Sequence, residues 1–454
     1  MVRSRSLVIL ASAYLLGVLL LIYAPTAGQG FLSDDFNWIR AARSARSLAR
    51  VKAPDNSPDF YRPVVSASFA LNYRISGLHP RAYGLTNLWL LVCCAGLVAW
   101  LASVGGLAPA FSLFAAALFA FNVHGVDMAV LWISGRTALL LTLFSVGAAV
   151  AFLKQRVEVA ALLVLCAMFS KEEGVVLPMV FLLWGLLARL PFRRTWAILL
   201  TLPVYLGLRT YAGAMWPATA PSYYRFSSDP QLLLRNVAEY ADRACTISAV
   251  MLLAIVMCAR AQPHLTREHR TFLLQSVFWL VGGFALTIFL PVRSSLYALF
   301  PSVGAALAAS TLAAAWWPQL SAMQKRALPV LALILPLALF PVYRARGDRW
   351  VSTARLSSAV LSQLVEQVNM RPEVRTIVLL DDQSTRVNLS NAFGSTGADV
   401  AFLFFQRPVT LHIETDPAAE PRGDMVLALD GKTGRLIVMP ARQPHLKSPR
   451  RSAI

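Results

Sequence analysis

The chain has 454 residues, of which 57% are hydrophobic and 14% charged, and its mean hydropathy is +0.57. A soluble globular protein carries roughly 25% charged residues, so this composition excludes a water-soluble fold and points to a polytopic α-helical membrane domain with a polar tail. The net charge of +19 implies no nucleic-acid partner, because many of the cations fall in short loops between apolar runs, where they orient a membrane protein.

A spanning helix needs about 20 apolar residues. In chain order the candidate spans are 7–24, 84–104, 108–123, 137–153, 157–170, 174–188, 196–212, 244–259, 272–291, 296–316 and 327–343, about eleven in all. The first also fits a signal peptide, with its basic start and Ala24-Pro25-Thr26-Ala27 after the apolar run, although that run is long for a signal core. With a cytoplasmic N-terminus, the inner segments hold Arg3, Arg5, Lys154, Arg156, Arg189, Arg193, Arg194, Arg260, Arg267, Arg270, Lys325 and Arg326. The short outer turns hold chiefly Arg136, Lys171 and Arg293. The first outer loop, 25–83, departs from the trend with Arg40, Arg43, Arg46, Arg50 and Lys52, as longer loops do. Cys93, Cys94, Cys166, Cys245 and Cys258 lie in or beside apolar runs and imply no disulfide framework.

These patterns divide the chain into a membrane domain, 1–343, and a small extracytoplasmic α/β domain, 344–454. In the tail, 352–369 has the periodicity of an amphipathic helix. Glu373–Asp382 and Val400–Gln406 read as buried strands. Met425–Leu429 and Arg435–Met439 flank a hairpin signal, Asp430-Gly431-Lys432-Thr433-Gly434. The last ten residues, with Lys447, Arg450 and Arg451, are expected to be disordered.

Ionisable groups beside apolar spans are costly and tend to face a cavity or a partner. Five places stand out, all on the predicted outer side. Asp34-Asp35 after the first span suits a tuned carboxylate base or a helix cap. Tyr61-Arg62-Pro63 offers a guanidinium fork to a phosphate or a snorkelling arginine. His124 and Asp127 share a helical face and suit an acceptor hydroxyl, a divalent metal or a self-satisfied turn. Ser170-Lys171-Glu172-Glu173 can set a lysine at a phosphate or form a solvated turn. Arg293-Ser294-Ser295-Leu296-Tyr297 can hold an anion or anchor at the interface. One carboxylate with several cations suits sugar transfer from a lipid phosphate, whose leaving group departs as an anion and needs cations rather than a general acid. A glycoside hydrolase would need a second carboxyl as acid.

The order of Ser33-Asp34-Asp35-Phe36, Tyr61-Arg62-Pro63-Val64-Val65-Ser66, Gly77-Leu78-His79-Pro80, Tyr83, Thr86-Asn87, Trp132-Ile133-Ser134-Gly135-Arg136-Thr137, Ser170-Lys171-Glu172, Leu177-Pro178, Leu296-Tyr297 and Pro301-Ser302 resembles the multi-spanning part of the GT-C superfamily glycosyltransferases. Within these it is similar to bacterial relatives of the transmembrane tetratricopeptide-repeat O-mannosyltransferases, over roughly residues 7–315, with the tail outside. The resemblance implies eleven or more helices and a sugar donor linked to a polyprenyl phosphate. It also implies an acidic catalytic centre in the first outer loop, at Asp34 or Asp35, with Asp34 as base. The chain departs from the pattern in having Asp127 in place of a His-x-Glu element, Ala138 in place of an acid, and no repeats, which leaves the acceptor open.

On this resemblance the expectation is an inverting glycosyltransferase in a bacterial inner membrane, with a periplasmic tail. Arg62, Lys171 and Arg293 would hold the carrier phosphate. His124 and Asp127 would shape the acceptor side, Arg136 would brace the loop, and Tyr61, Glu172 and Tyr297 would support the site. No cofactor is assigned, and a divalent metal stays open. Expected partners are the lipid-linked sugar, membrane lipids, and a glycan, lipid or protein acceptor. The expectation from a different class is a lipid or polysaccharide transporter, or an inactive assembly factor.

Overall fold

The computed structural model describes residues 2–44, 60–192, 195–215, 222–259, 262–415, 423–431 and 433–439. Arg46, Arg50, Lys52, Arg193, Arg194, Arg260, Lys432, Lys447, Arg450 and Arg451 lie outside the described residues, as do the side chains of Arg3 and Arg5. The chain divides into two compact units: Met1–Gln29 with Ala41–Val351, and Gly30–Arg40 with Ser352–Ile454. Patterning alone drew one line at residue 343.

The helices in chain order are α1 (Val2–Tyr23), α2 (Asp34–Ser44), α3 (Pro63–Ser76), α4 (Pro80–Val104), α5 (Pro109–Ala120), α6 (Val123–Leu131), α7 (Arg136–Leu153), α8 (Val157–Met168), α9 (Leu177–Leu187), α10 (Trp196–Leu199), α11 (Thr201–Tyr211), α12 (Pro230–Cys258), α13 (Arg267–Phe284), α14 (Leu299–Trp316), α15 (Ala322–Ala338), α16 (Phe340–Met370), α17 (Leu389–Phe393) and α18 (Gly397–Phe404). Among the described residues seven helical spans are long and apolar enough to cross a bilayer, or eight if α5 and α6, bent by 64°, make one broken span. The protein is an integral membrane protein. Helix occurs at each of the eleven predicted positions, but α8 has 12 residues and α9 and α11 have 11 each. At 1.5 Å per residue these reach about 16–18 Å, short of the roughly 30 Å hydrocarbon core.

The first unit is organised on α14, whose sequence is dominated by Ala, Gly and Ser and is buried along most of its length. Lipid is as apolar as leucine, so helices associate through close packing of small residues. Gly304 shows this against α13: a Cβ there would stand 2.5 Å from the Ser276 carbonyl oxygen. Trp184 and Trp279 fill the neighbouring core, and their indole N–H groups donate to the Gln275 and Phe300 carbonyls, each at 2.9 Å. Buried tryptophans need such partners. At the break between α5 and α6 the Phe121 carbonyl, released from helical bonding, accepts from the Tyr343 hydroxyl at 2.8 Å.

The second unit contains a four-stranded sheet in the order β2-β1-β3-β4, formed by β1 (Thr376–Leu380), β2 (Thr410–Glu414), β3 (Met425–Asp430) and β4 (Arg435–Val438). β1 lies parallel to both β2 and β3, and β3 and β4 form the antiparallel hairpin that the turn signal implied. Gly434, at φ +68°, permits its tight return. The expected strand Val400–Gln406 is wrong: Gly397–Phe404 is α18. A short apolar run has no period that separates strand from buried helix. Asp399, in the first turn, favours the helix through its dipole. The true second strand, Thr410–Glu414, has one fully buried residue, Leu411, and so carried little hydrophobic signal.

Gly304→Ala should cost about 1–3 kcal/mol through overpacking. It should lower the thermal midpoint of the detergent-solubilised protein, whereas Gly77→Ala at an open position tests only local backbone strain.

Candidate functional site

Four of the five stretches singled out by sequence meet within the first unit. Arg62 stands immediately before α3, whose first residue, Pro63, pre-sets the helical φ. Its guanidinium grips Glu172 with Nε at 3.1 Å and Nη2 at 2.5 Å from Oε2. A second arginine, Arg209 near the end of α11, donates to Oε1 of the same carboxylate at 3.1 Å and to the Tyr205 hydroxyl at 2.9 Å. The Arg62 guanidinium also lies 4.2 Å from the centre of the Phe60 ring. Burial opposes ionisation of Glu172, but the two guanidiniums outweigh it and hold its carboxyl down at about 2.

The preceding residue, Lys171, is buried and pairs with Glu173 at 2.7 Å. The turn that carries them closes on Gly174, where a Cβ would stand 2.8 Å from the Met168 nitrogen. The Lys171 ammonium lies 4.6 Å from the centre of the Tyr297 ring. Tyr297 sits in the single helical turn before α14 and meets the ring of Tyr240 edge-on at 6.3 Å. Arg293 is ion-paired with Glu239 on α12, which also holds Arg235 and Arg243 at 3.0 Å each. Tyr61 packs edge-on against Phe169 at 5.8 Å.

His124 and Asp127 lie on α6 but take different partners. The Asp127 carboxylate accepts from the Tyr23 hydroxyl at 2.5 Å. His124 Nδ1 is 2.9 Å from a guanidinium nitrogen of Arg346, and its Nε2 is 4.0 Å from Asp242. Ser294 reaches the Met128 sulfur at 3.5 Å, so α6 rests on the turn that carries Tyr297. Among the described residues no group of three or more His, Cys, Asp and Glu could hold a metal ion. The guanidinium beside His124 is also a poor neighbour for a divalent cation.

Arg136 is elsewhere in the unit and fully buried. It donates to Asn87 Oδ1 at 2.9 Å and to the Tyr83 carbonyl at 3.1 Å, with the ring of Phe69 4.6 Å away. Asn87 in turn donates to the carbonyls of Ala129 and Ile133 at 3.1 and 3.0 Å. The Thr-Asn and Trp-Ile-Ser-Gly-Arg segments therefore interlock as one brace joining α4 to the α6–α7 junction.

Asp34 and Asp35 belong to the second unit. Asp34, the first residue of α2, is exposed. Asp35 is fully buried, and its carboxylate accepts from the Leu32 backbone N–H at 2.8 Å. Arg209, Tyr205, Glu239, Arg346 and Tyr23 were not singled out by sequence. The i,i+4 series Arg235-Glu239-Arg243 is the one such signal that was present.

No protein-family model matches the chain, and no curated protein matches it. In fold it is similar to ArnT from Cupriavidus metallidurans, both bound to undecaprenyl phosphate (14% identity, TM-score 0.51, 92% of this chain and 93% of that chain) and in the apo state (13%, 0.55, 90% and 86%). It is also similar to the arabinofuranosyltransferase AftD from Mycobacteria (15% identity, TM-score 0.52), covering 90% of this chain but 32% of AftD. At these identities the likeness is one of fold: the chain shares the fold of ArnT and of AftD. The likeness runs past residue 315, where the sequence resemblance stopped.

Because Glu172 is depressed from the ordinary 4.5 to about 2, its pairing stabilises the fold fully above about pH 4.5 and is lost as pH falls through about 2. Glu172→Gln should lower stability by about 1–3 kcal/mol at pH 7, since it strands two guanidiniums. The difference between the two proteins in thermal unfolding should hold from pH 5 to 8 and shrink below it.

Proposed function

We propose that the protein is an inverting membrane glycosyltransferase that takes a sugar from a polyprenyl-phosphate-linked donor and passes it to an acceptor hydroxyl on the extracytoplasmic side. The observation that carries this is the cation-rich cluster at one end of the bundle, in a fold shared with a protein crystallised with undecaprenyl phosphate. Arg62 and Arg209 share a single carboxylate, an excess of one positive charge, and Lys171 and Arg293 stand on the neighbouring elements. A phosphate ester leaving group needs such fixed positive charge as its own negative charge grows.

Asp34 is the base in this proposal. Its carboxylate takes the acceptor proton while the acceptor oxygen bonds to the anomeric carbon. The bond from that carbon to the phosphate oxygen breaks, its electron pair leaves on the polyprenyl phosphate, and configuration inverts. Asp35, whose carboxylate is engaged by the Leu32 N–H, fixes the turn that presents Asp34. His124 and Asp127 belong to the acceptor side, and the chain is placed in a bacterial inner membrane with its N-terminus inside.

The test is transfer in lipid nanodiscs with a panel of polyprenyl-phosphate-linked sugars. Asp34→Asn combined with Asp35→Asn should cut kcat by about 10²–10⁴-fold, the usual contribution of a general base, with donor binding retained. Arg62→Ala and Lys171→Met should mainly weaken the donor. Unchanged transfer in the double variant removes the aspartates from the mechanism. Donor binding with no transfer by the wild type favours a lipid transporter or an inactive assembly factor.

A further inference from the structure

The segment that carries the acidic pair is built into the C-terminal α/β unit. At its start, Gly30 lies so close to α16 that a Cβ would stand 2.0 Å from the Ala354 carbonyl oxygen. The Ser33 N–H donates to the Ala392 carbonyl of α17 at 2.8 Å while Ser33 holds φ at +44°, a conformation costly for a residue with a side chain. Phe36, fully buried, lies 5.7 Å from Phe393 and 6.3 Å from Phe404 between ring centres. At the far end Arg40 pairs with Asp399 of α18 at 2.8 Å and covers the ring of Phe402 at 5.1 Å. Asp399 is almost wholly buried in this pair. Backbone, aromatic and ionic contacts thus fix both ends and the middle of a stretch of eleven residues, with Asp34 exposed on it.

The structure assigns the C-terminal unit a role in the reaction: it is the holder of the acidic motif, and Arg40 and Phe36 are positioning residues that set where the Asp34 carboxylate stands. This rests on the proposal that Asp34 is the base. It makes the tail part of the catalytic apparatus, joined to the chemistry through residues 30–40. A misplacement of about 1 Å in a reacting group can cost on the order of 10²-fold in rate, so contacts of this kind are sufficient to matter.

The experiment uses the full chain in nanodiscs and two readouts. Hydrogen exchange is followed in the peptide spanning residues 30–40, with a peptide from α7 as internal reference. Initial rates give kcat and KM for the fastest polyprenyl-phosphate sugar of the panel. Arg40→Ala should speed exchange in 30–40 alone and lower kcat about tenfold or more, with donor KM within about twofold of the wild type. Arg40→Lys, which keeps the charge, should recover most of both. Gly30→Ala is the second disruption, should the first variant fail to accumulate.

Exchange that stays slow in both variants overturns the holding role. Faster exchange with unchanged kcat shows that the anchorage is not needed for catalysis, and overturns the positioning role. Full transfer by the Asp34→Asn, Asp35→Asn chain overturns the underlying proposal, whatever the exchange shows.

Discussion

Two guanidiniums closing on the Glu172 carboxylate tie together parts of the chain that are far apart in sequence. Arg62 comes from the stretch before α3, Glu172 from the turn after α8, and Arg209 from the end of α11. Next to hydrocarbon, an unpaired charge costs several kcal/mol. Once these groups are present they must find one another, and the helices that carry them are drawn to a common end. The same requirement explains Lys171 with Glu173 and Arg293 with Glu239. The pairs organise the end of the bundle and, because cations outnumber carboxylates around Glu172, leave it positive.

The helices can converge there because the core permits it. α14 packs through small residues rather than bulky ones, so backbone meets backbone at Gly304 and Gly125 lies against Leu299. The break between α5 and α6 turns the chain by 64° and places His124 and Asp127 at the same end. The freed carbonyl at the break is satisfied by Tyr343, as any interrupted helix within a membrane requires. Short helices such as α8 and α11 put charged residues at their ends within reach of one another.

Much of this was legible in the sequence. Hydropathy located helix at all eleven expected positions, and the cations of the outer turns were visible as charges with no reason to be beside apolar runs. What the sequence does not encode locally is partnership. Arg62 and Glu172 are 110 residues apart, and Arg293 and Glu239 are 54 apart. Arg209 lies inside the predicted span 196–212, and nothing in its own stretch points to Glu172, 37 residues away. The strand expected at Val400–Gln406 failed for a different reason: seven mostly apolar residues fit either secondary structure, and only packing decides. The membership of Gly30–Arg40 in the second unit was likewise invisible, because it depends on Phe36 finding Phe393 and Arg40 finding Asp399 across some 360 residues.

A specific motif and a chemical one need not be the same. The Trp-Ile-Ser-Gly-Arg segment, with Tyr-Arg-Pro, is the most specific part of the sequence resemblance, yet Arg136 is wholly enclosed and spends its donors on Asn87, Ser68 and the Tyr83 carbonyl. A guanidinium so occupied cannot also grip a substrate. Its distinctiveness comes from geometry: Gly135 must lack a side chain, since a Cβ would stand 2.6 Å from the Ala129 Cα, and only a long planar cation spans α4 and α7 while satisfying several acceptors at once. The plainer signals, two aspartates at a helix start and a Lys-Glu-Glu turn, each had an everyday structural explanation. In the first unit it is the company that Lys171 and Glu172 keep, two further arginines and a tyrosine, that gives such an ordinary turn a site's character.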